Sequence, residues 1–373
     1  MRVLLVKPRS SAAHFGLAPF FRTEPLGLEY IAAALGAGGH QVRIVDMSFQ
    51  RRTMARLIKS FRPGLVGLSC VHILDAAETV QLAGEIKRMD PAIFVAVGGH
   101  AAASYPKALE QSPAVDAICS GEGESTMPAL GDALAQRRTI HDVPSLLLPT
   151  GDRRFSATAK AREWLDLDQV HCPDRAAVEA YRKHYVCLNY MPVWTLETTR
   201  GCRHHCKFCS VWQFYRGSCR YHAARNVRAD FEQTGRNVFI VDPDFSKDDF
   251  ANFWDFVETH KLFRSGFTIL TPLPGTHYFE QSKEKLEVMD LNQFDLHHLL
   301  WKPRLPVERF FELYCETWRR TVLNAAGRKK WWQWLRNVDL RHIGHMARIL
   351  ARSQKLMDPR AYLAECSLPR DPQ

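Results

Sequence analysis

Three cysteines, Cys202, Cys206 and Cys209, lie within eight residues in the spacing C-x3-C-x2-C. The other seven cysteines of the chain are scattered without regular spacing. Three thiolates on one short loop are able to hold three irons of a cubane iron–sulfur cluster and to leave the fourth iron open to a non-protein ligand. The spacing therefore predicts a [4Fe–4S] cluster with one reactive iron.

Zinc is the alternative metal for this loop, with His204 or His205 as the fourth ligand. Structural zinc sites usually draw their ligands from two separated pairs, and the sequence contains no second pair. A disulfide explanation is weaker, because a chain without a signal peptide is expected in a reducing compartment.

The first 140 residues contain short apolar runs that alternate with helical patterns. Continuous apolar runs of this length are typical of strands that are buried on both faces. The runs are RVLLVK (2–7), QVRIVD (41–46), GLVGLS (64–69), AIFVAVGG (92–99) and AVDAICSG (114–121). The alternation predicts an α/β fold with a doubly wound, parallel, five-stranded sheet.

Small and polar residues follow these strands, at the sheet edge where ligands of such folds bind. They are Pro25-Leu26-Gly27, Ser69, Gly98-Gly99-His100 and Gly121-Glu122-Gly123-Glu124. Glycines there let a backbone approach a ligand closely, so together they indicate a large, flat ligand. The alternative is that each glycine only makes a tight turn. Because no G-x-G-x-x-G follows the first strand, the pattern argues against a nicotinamide dinucleotide.

The alternation of apolar runs and helical patterns becomes irregular after the fifth predicted strand and the helix that follows it. We predict a ligand-binding domain over 1–140, a hairpin and connector over 141–185, a second α/β domain over 186–295 and a basic helical region over 296–373. The hairpin is expected around Thr150-Gly151-Asp152. These boundaries place the cysteine loop in the second α/β domain.

Composition and charge restrict the class of protein. The 373 residues are 46% hydrophobic and carry a net charge of +10, as in an ordinary globular protein. No apolar run approaches the length of a membrane span, and MRVLLVKP is too short for a signal peptide, so we expect a cytoplasmic protein. Residues 301–373 hold 15 Lys and Arg against 7 Asp and Glu, so most of the excess charge is in the tail.

The tail between residues 327 and 356 has an apolar stripe at helical spacing beside a tryptophan cluster. Its opposite face carries the basic residues Arg341, Arg348, Arg352 and Lys355. This pattern is typical of a helix at a membrane interface on the inner face, but a helix packed on the protein with a solvated basic face fits equally well. Nucleic-acid binding is not expected, since no recognition motif accompanies the charge.

The cysteine spacing, preceded by Thr199-Arg200-Gly201 and with Phe208 before the last cysteine, resembles the radical S-adenosylmethionine superfamily. The strand-end motifs of residues 1–140 resemble the cobalamin-binding domain that precedes some of these enzymes. Within that class the segments TTRGCRHHCKFCSVWQFYRG, FTILTPLPGT and LPVERFFELY are most similar to the hopanoid C-3 methylases.

This resemblance implies three cofactors: a [4Fe–4S] cluster on the three cysteines, S-adenosylmethionine contacted by Phe208, and cobalamin. The implied cobalamin contacts are Ser69, Gly98, Gly99, His100, Gly121, Glu122, Gly123 and Glu124. It further implies methyl transfer to an unactivated carbon of a polycyclic lipid such as a hopanoid, and an electron donor such as flavodoxin or ferredoxin. No residue of the sequence is assigned as a catalytic base.

Two departures from the family concern cobalt and the barrel. Ser48 stands where cobalamin domains with D-x-H-x-x-G place a histidine, counted from Asp46, so cobalt is expected to lack a histidine from the protein. The resemblance implies a second domain that is a barrel of six βα units, which needs about 180 residues at roughly 30 residues for each unit. Val193 to Thr276 spans only 84 residues. The barrel is therefore expected to be partial, which leaves as the alternative a non-catalytic, degenerate remnant that binds cobalamin or an iron–sulfur cluster.

Overall fold

A computed structural model describes residues 1–9, 21–110, 112–152, 154–158, 164–187, 191–202, 205–235, 238–240, 269, 271–303, 305–322, 351, 354 and 357–368. The chain divides into two compact units. The first unit comprises residues 1–11, 21–243 and 273–280, and the second comprises residues 12–20, 244–272 and 281–373.

The described residues form strands and helices with the following bounds. The strands are β1 (Arg2–Lys7), β2 (Phe21–Arg22), β3 (Gln41–Asp46), β4 (Leu65–Ser69), β5 (Phe94–Gly98), β6 (Ala117–Cys119), β7 (Leu146–Pro149), β8 (Phe155–Ala157), β9 (Val186–Cys187), β10 (Trp194–Leu196), β11 (Thr199–Gly201), β12 (Cys219–Tyr221) and β13 (Val238–Ile240). The α-helices are α1 (Leu26–Ala37), α2 (Met54–Phe61), α3 (Ala76–Met89), α4 (His100–Ser104), α5 (Gly123–Ala135), α6 (Val211–Phe214), α7 (Ala224–Phe231), α8 (His277–Ser282), α9 (Val307–Val322) and α10 (Pro359–Glu365). Short 3-10 helices cover Ile73–Asp75, Pro106–Ala108, Arg175–His184, Lys283–Lys285 and Leu291–Gln293.

The main sheet of the first unit has the strand order β3-β1-β4-β5-β6-β7-β8. The first five strands in this order pair in parallel, which confirms the predicted five-stranded α/β sheet. The predicted hairpin is also confirmed: β7 and β8 pair antiparallel, and β7 extends the sheet by pairing with β6. An antiparallel hairpin at one edge thus completes a sheet of seven strands.

Both faces of the inner parallel strands β1, β4, β5 and β6 are buried. Successive residues Val3, Leu4, Leu5 and Val6 of β1 are at most 1% exposed, although their side chains alternate between the two faces. Helices α1 and α5 pack together, as do α2 and α3, so each pair covers apolar strand residues. Full burial of one such side chain contributes roughly 1.5–3 kcal/mol relative to leaving it in water. This core holds the strand ends in fixed positions.

The cysteine loop follows a smaller group of strands in the same unit. Strand β10 pairs in parallel with β13, and β11 pairs antiparallel with β12. Within the span Val193–Thr276 expected for the partial barrel, residues 241–268 and 270 lie outside the described residues. The domain boundaries at 140, 185 and 295 remain predictions.

The second unit contains helices α9 and α10, which agree with the predicted helical C-terminal region. The rings of Phe311 and Tyr362 stack at 5.3 Å between these helices. The Tyr314 hydroxyl lies 3.4 Å from Nδ1 of the fully buried His297, and burial lowers the pKa of His297 to about 4. That imidazole is therefore neutral at pH 7.

The predicted tail helix over 327–356 lies outside the described residues, apart from residues 351 and 354. Its basic row and its tryptophan cluster are accordingly not placed. Among the helices of the described ranges, none combines the length and apolarity that are needed to cross a bilayer.

Candidate functional site

A cavity of about 510 Å³ opens at the carboxyl ends of the parallel strands in the first unit. It lies beyond β1, β4, β5 and β6 and beside the start of α1. The structure brings all the predicted strand-end residues to its wall: Pro25, Leu26, Gly27, Ser69, Gly98, Gly99, His100, Gly121, Glu122, Gly123 and Glu124. That these residues contact cobalamin remains a prediction.

The glycines of this wall are needed for different physical reasons. Gly99 has φ of +112°, and a Cβ there would lie 2.5 Å from the Cys70 carbonyl oxygen, so the backbone crossing requires glycine. A Cβ at Gly123 would meet Ile31 Cδ1 at 2.4 Å, so this glycine serves the packing of α5 on α1. By contrast, a Cβ at Gly27 would meet nothing within 4 Å. Packing therefore does not explain Gly27, and its missing side chain leaves room in the cavity.

The residues of the cavity fit a large ligand of low charge. Apolar side chains and glycines dominate the wall, and the volume is within the usual range of about 300–1,000 Å³ for ligand pockets. Gly98 also fits this use, because a Cβ there would make only an ordinary 3.5 Å contact with Cys119. A corrin edge or its nucleotide is a ligand of this kind.

The segment after β3 does not line the cavity, so Ser48 gives no information about a ligand bound there. Asp46 is buried, its carboxylate lies 3.5 Å from Lys7 Nζ, and it accepts a 3.0 Å hydrogen bond from Ser48 N. Phe49 stacks on His184 with ring centroids 4.8 Å apart. The expectation that cobalt lacks a histidine from the protein remains a prediction. Its test depends on the histidine that does line the cavity rather than on the position of Ser48.

That residue is His100, the one histidine of the cavity wall within the described residues. Its Nε2 lies 3.4 Å from the Tyr215 hydroxyl, and its ring contacts Phe214 edge-on with centroids 4.5 Å apart. Phe214 and Tyr215 lie at the end of α6, just after the cysteine loop, and they form a second wall of the cavity. Residues that flank the cysteine loop thus line the same cavity as the strand ends, whereas the loop's own Cys202, Cys206, Phe208 and Cys209 do not line it.

The cysteine loop begins directly after β11. Cys209 N donates a 3.1 Å hydrogen bond to the Cys206 carbonyl oxygen, and Trp212 Nε1 donates a 2.7 Å bond to the same oxygen. All three thiols are partly exposed. Burial raises the pKa of Cys209, hydrogen bonds from the backbone of Val211 and Trp212 lower it, and the neighbouring Cys206 and Cys202 raise it again.

The metal of this loop stays a prediction. Within the described ranges, which omit His204, no three His, Cys, Asp or Glu side chains are arranged around a point that could hold a single ion. His205 packs against the Trp212 ring with centroids 4.8 Å apart. Phe208 is 40% exposed, and its contact with S-adenosylmethionine is likewise a prediction.

A buried ion cluster that sequence spacing does not indicate joins the two walls. We call it the Arg200 cluster, and it consists of Arg200, Arg220, Glu122, Glu124 and Glu197. The Arg200 guanidinium lies 2.9 Å from Glu122, 2.8 Å from Glu124 and 2.7 Å from Glu197. Arg220 lies 2.8 Å from Glu122. Burial alone would raise the pKa of Glu122, but the hydrogen bond from Arg220 and the charge of Arg200 lower it.

A second buried network, the Arg175 network, lies at the start of α1. It consists of Arg175, Arg182, Glu24, Glu29 and Asp230. Arg175 contacts Glu24, lies 2.8 Å from Asp230 and lies 3.4 Å from Glu29. Arg182 also contacts Glu24. Three carboxylates thus face two guanidinium groups, and burial together with the repulsion from Glu24 raises the pKa of Glu29 to about 8.

Sequence spacing carried no sign of these two networks, because their partners are far apart in the chain. Glu122 and Arg200 are 78 residues apart, and Glu24 and Arg182 are 158 residues apart. The only available signal was the presence of acidic and basic residues next to strands that are otherwise apolar.

Comparison with known proteins supports the resemblance that the motifs predict. Residues 17–131 match the B12 binding domain family. Over 227 residues the chain is 32% identical to a hopanoid C-3 methylase of Methylococcus capsulatus, covering 60% of this chain and 43% of the relative. Over 226 residues it is 31% identical to an anaerobic magnesium-protoporphyrin IX monomethyl ester cyclase of Rubrivivax gelatinosus, covering 58% of this chain and 40% of that relative.

A solved structure has the same fold. The cobalamin-dependent S-adenosylmethionine radical enzyme OxsB matches 86% of this chain and 42% of its own, with a TM-score of 0.51 and 14% identity. The chain therefore spans less than half the length of these relatives. The predicted resemblance is confirmed: residues 17–131 match the B12 binding domain family, and the chain is similar to the hopanoid C-3 methylase.

Proposed function

We propose that this chain is a cobalamin-dependent radical S-adenosylmethionine methyltransferase that acts on an unactivated carbon of a polycyclic lipid such as a hopanoid. One observation carries the proposal: the predicted cobalamin residues line the same cavity as Arg200, Phe214 and Tyr215, which flank the cysteine loop. Two cofactors that must act on one substrate need such a shared space. The similarity to the hopanoid C-3 methylase supports the substrate class.

The residues assigned to the cofactors fit their chemistry. Cys202, Cys206 and Cys209 would hold a [4Fe–4S] cluster, with S-adenosylmethionine on the open iron and Phe208 beside its adenine. When bound, these cofactors supply a 5′-deoxyadenosyl radical, and cobalamin supplies a methyl group for transfer. Trp212 fixes the Cys206 carbonyl and so restrains the loop between two of the ligands.

The chain itself contributes binding and the exclusion of water. Gly27 and Gly98 leave space at the strand ends, so a corrin edge can approach the backbone there. His100 at the strand ends packs edge to face with Phe214 and Tyr215, so the two walls of the cavity are in contact at this point. A reactive radical needs a space from which water is excluded, because competing reactions are then suppressed.

The similarity to the cyclase of Rubrivivax gelatinosus favours a second candidate, in which the radical alters a ring substrate without methyl transfer. The third candidate is the degenerate remnant, which the expectation of a partial barrel favours. An electron donor such as flavodoxin or ferredoxin and a peripheral contact with the inner membrane face belong to the proposal as well.

The test is an anaerobic assay of the reconstituted full chain with a hopanoid, a chemical reductant and S-adenosylmethionine that carries a trideuterated methyl group. The proposal predicts 5′-deoxyadenosine and a product heavier by one labelled methyl group. Deoxyadenosine with an unlabelled product favours the cyclase-like candidate. Absence of deoxyadenosine, with the cluster and cobalamin bound, favours the remnant.

A further inference from the structure

The Arg200 cluster connects the wall that carries the predicted cobalamin contacts to the loop that carries the cysteines. Glu122 and Glu124 lie at the end of β6 and the start of α5, whereas Arg200 lies in β11, two residues before Cys202. All three residues also line the cavity. A shift of either wall would therefore change these contacts.

The geometry of Arg200 suits a linker better than a surface ion pair. Its side chain is 6% exposed, and its guanidinium makes hydrogen bonds with Glu122 at 2.9 Å and with Glu197 at 2.8 Å. The guanidinium also lies 5.4 Å from the centre of the Tyr30 ring. A planar fork with several fixed partners restricts direction as well as distance, which a lysine ammonium does not.

The local backbone passes this restraint on to the cysteine loop. Arg200 is followed by Gly201, which has φ of +92°, and a Cβ there would lie 2.2 Å from the Ser218 carbonyl oxygen. The β11–β12 hairpin is therefore tight at the residue that joins Arg200 to Cys202. The register also places Arg220 opposite Arg200, and Arg220 donates to both Glu122 and the Leu165 carbonyl oxygen.

Stability alone is a weak reason for such a cluster. Burying several charges costs desolvation energy that their attraction often only offsets, and apolar residues frequently do as well. Buried polar groups can instead fix one arrangement among several, which is a matter of specificity. At this position, the arrangement that the Arg200 cluster fixes is the distance between the two proposed cofactor sites.

We propose that Arg200 is a positioning residue that sets the cysteine loop, and hence the cluster, at a fixed distance and orientation from cobalamin. This inference rests on the proposed function. Arg200 touches no reacting atom in it; it acts through Glu122 and Glu124 on one side and through Gly201 and Cys202 on the other.

The test measures the magnetic interaction between cob(II)alamin and the chemically reduced cluster in the full chain, by electron paramagnetic resonance. The main variant is Arg200→Lys, which keeps the charge balance and removes the fork. The matched control is Arg228→Gln, whose exposed arginine on α7 pairs only with Glu232 among the contacts described. Iron and cobalamin contents are determined for every sample.

We expect one sharp spin–spin splitting in the wild type and in the control, and a shifted or broadened splitting in Arg200→Lys at unchanged iron and cobalamin contents. A splitting in Arg200→Lys equal to that of the wild type overturns the inference. If Arg200→Lys does not fold, Glu124→Gln decides by the same two results. A wild type that binds no cluster or no cobalamin refutes the proposed function itself, which is a different failure.

Discussion

Glu29 offers a test of the buried charges in the first unit. It is fully buried in α1 beside the two guanidinium groups and two other carboxylates of the Arg175 network. Its Oε1 makes no hydrogen bond within the described residues. Burial, and then the charge of Glu24, raise the pKa of Glu29 from 4.5 to about 8, so its carboxyl group holds a proton at pH 7 in the folded chain.

The sign of the pH dependence follows from this raised pKa. Between about pH 4.5 and pH 8 the unfolded chain has lost the proton and the folded chain retains it. The free energy of unfolding should therefore fall by about 1.4 kcal/mol for each pH unit in this window. The contribution is fully present below pH 4.5 and is lost as the pH rises through 8. From pH 5.5 to pH 7.5 the loss is about 2.7 kcal/mol.

Glu29→Gln removes this titration and keeps the size of the side chain. We expect its stability advantage over the wild type to grow by about 1.4 kcal/mol per pH unit between pH 5.5 and 7.5. Urea unfolding of the cofactor-free chain, followed by tryptophan fluorescence at several pH values, measures the difference. The matched control is Glu232→Gln, an exposed carboxylate on α7, which should leave the slope unchanged. A difference between Glu29→Gln and wild type that does not vary with pH would refute the argument, because Glu29 would then be ionised in the fold.

Three further predictions concern the ligand site and the tail. Gly27→Ala should stabilise α1 by roughly 0.5–1 kcal/mol and weaken cobalamin binding. The control is Gly36→Ala in the same helix, which is equally free of neighbours but lies away from the cavity and should leave the affinity for cobalamin unchanged. Equal affinities of the two variants for cobalamin would show that Gly27 does not make room for this ligand. The spectrum of bound cob(II)alamin should lack nitrogen superhyperfine splitting from a protein imidazole, and a splitting that disappears in His100→Ala would show the opposite. The chain should co-sediment with anionic vesicles less strongly as salt rises, since each basic residue near anionic lipid contributes about 1 kcal/mol. This binding to vesicles should be lost when four basic residues are changed to glutamine: Arg341, Arg348, Arg352 and Lys355. Equal binding to neutral and anionic vesicles, or none to either, would favour a tail helix that packs on the protein.

Local pattern was sufficient for the parallel sheet. The run at 2–7 coincides with β1, whose central residues are buried on both faces, and the run at 41–46 coincides with β3, an edge strand whose Gln41 and Arg43 are exposed. The hairpin at Thr150-Gly151-Asp152 was predictable from its turn residues, but its place at the sheet edge was not. Pairing of β6 with β7 depends on contacts between distant residues, which spacing does not encode.

The candidate site was predictable in part for the same reason. Its glycines and His100 follow strands, and parallel strands end at one edge, so their proximity follows from the fold. What each residue does there was not predictable. Gly123 packs against Ile31, and Glu122 is held by Arg200 and Arg220. Only the three-dimensional structure shows these contacts, and they change how the motif Gly121-Glu122-Gly123-Glu124 is understood.

We propose that Cys202, Cys206 and Cys209 hold a cluster beside the cavity of the first unit, which is the site proposed for cobalamin. The most direct measurement is the iron content and the absorbance near 400 nm of the anaerobically reconstituted chain, before and after these three cysteines are changed to alanine. We expect about four irons in the wild type and none in the triple variant, with four retained in the control Cys219→Ala, whose backbone pairs with Gly201 in the neighbouring strand. Iron that survives the triple change would show that these three cysteines do not hold the cluster.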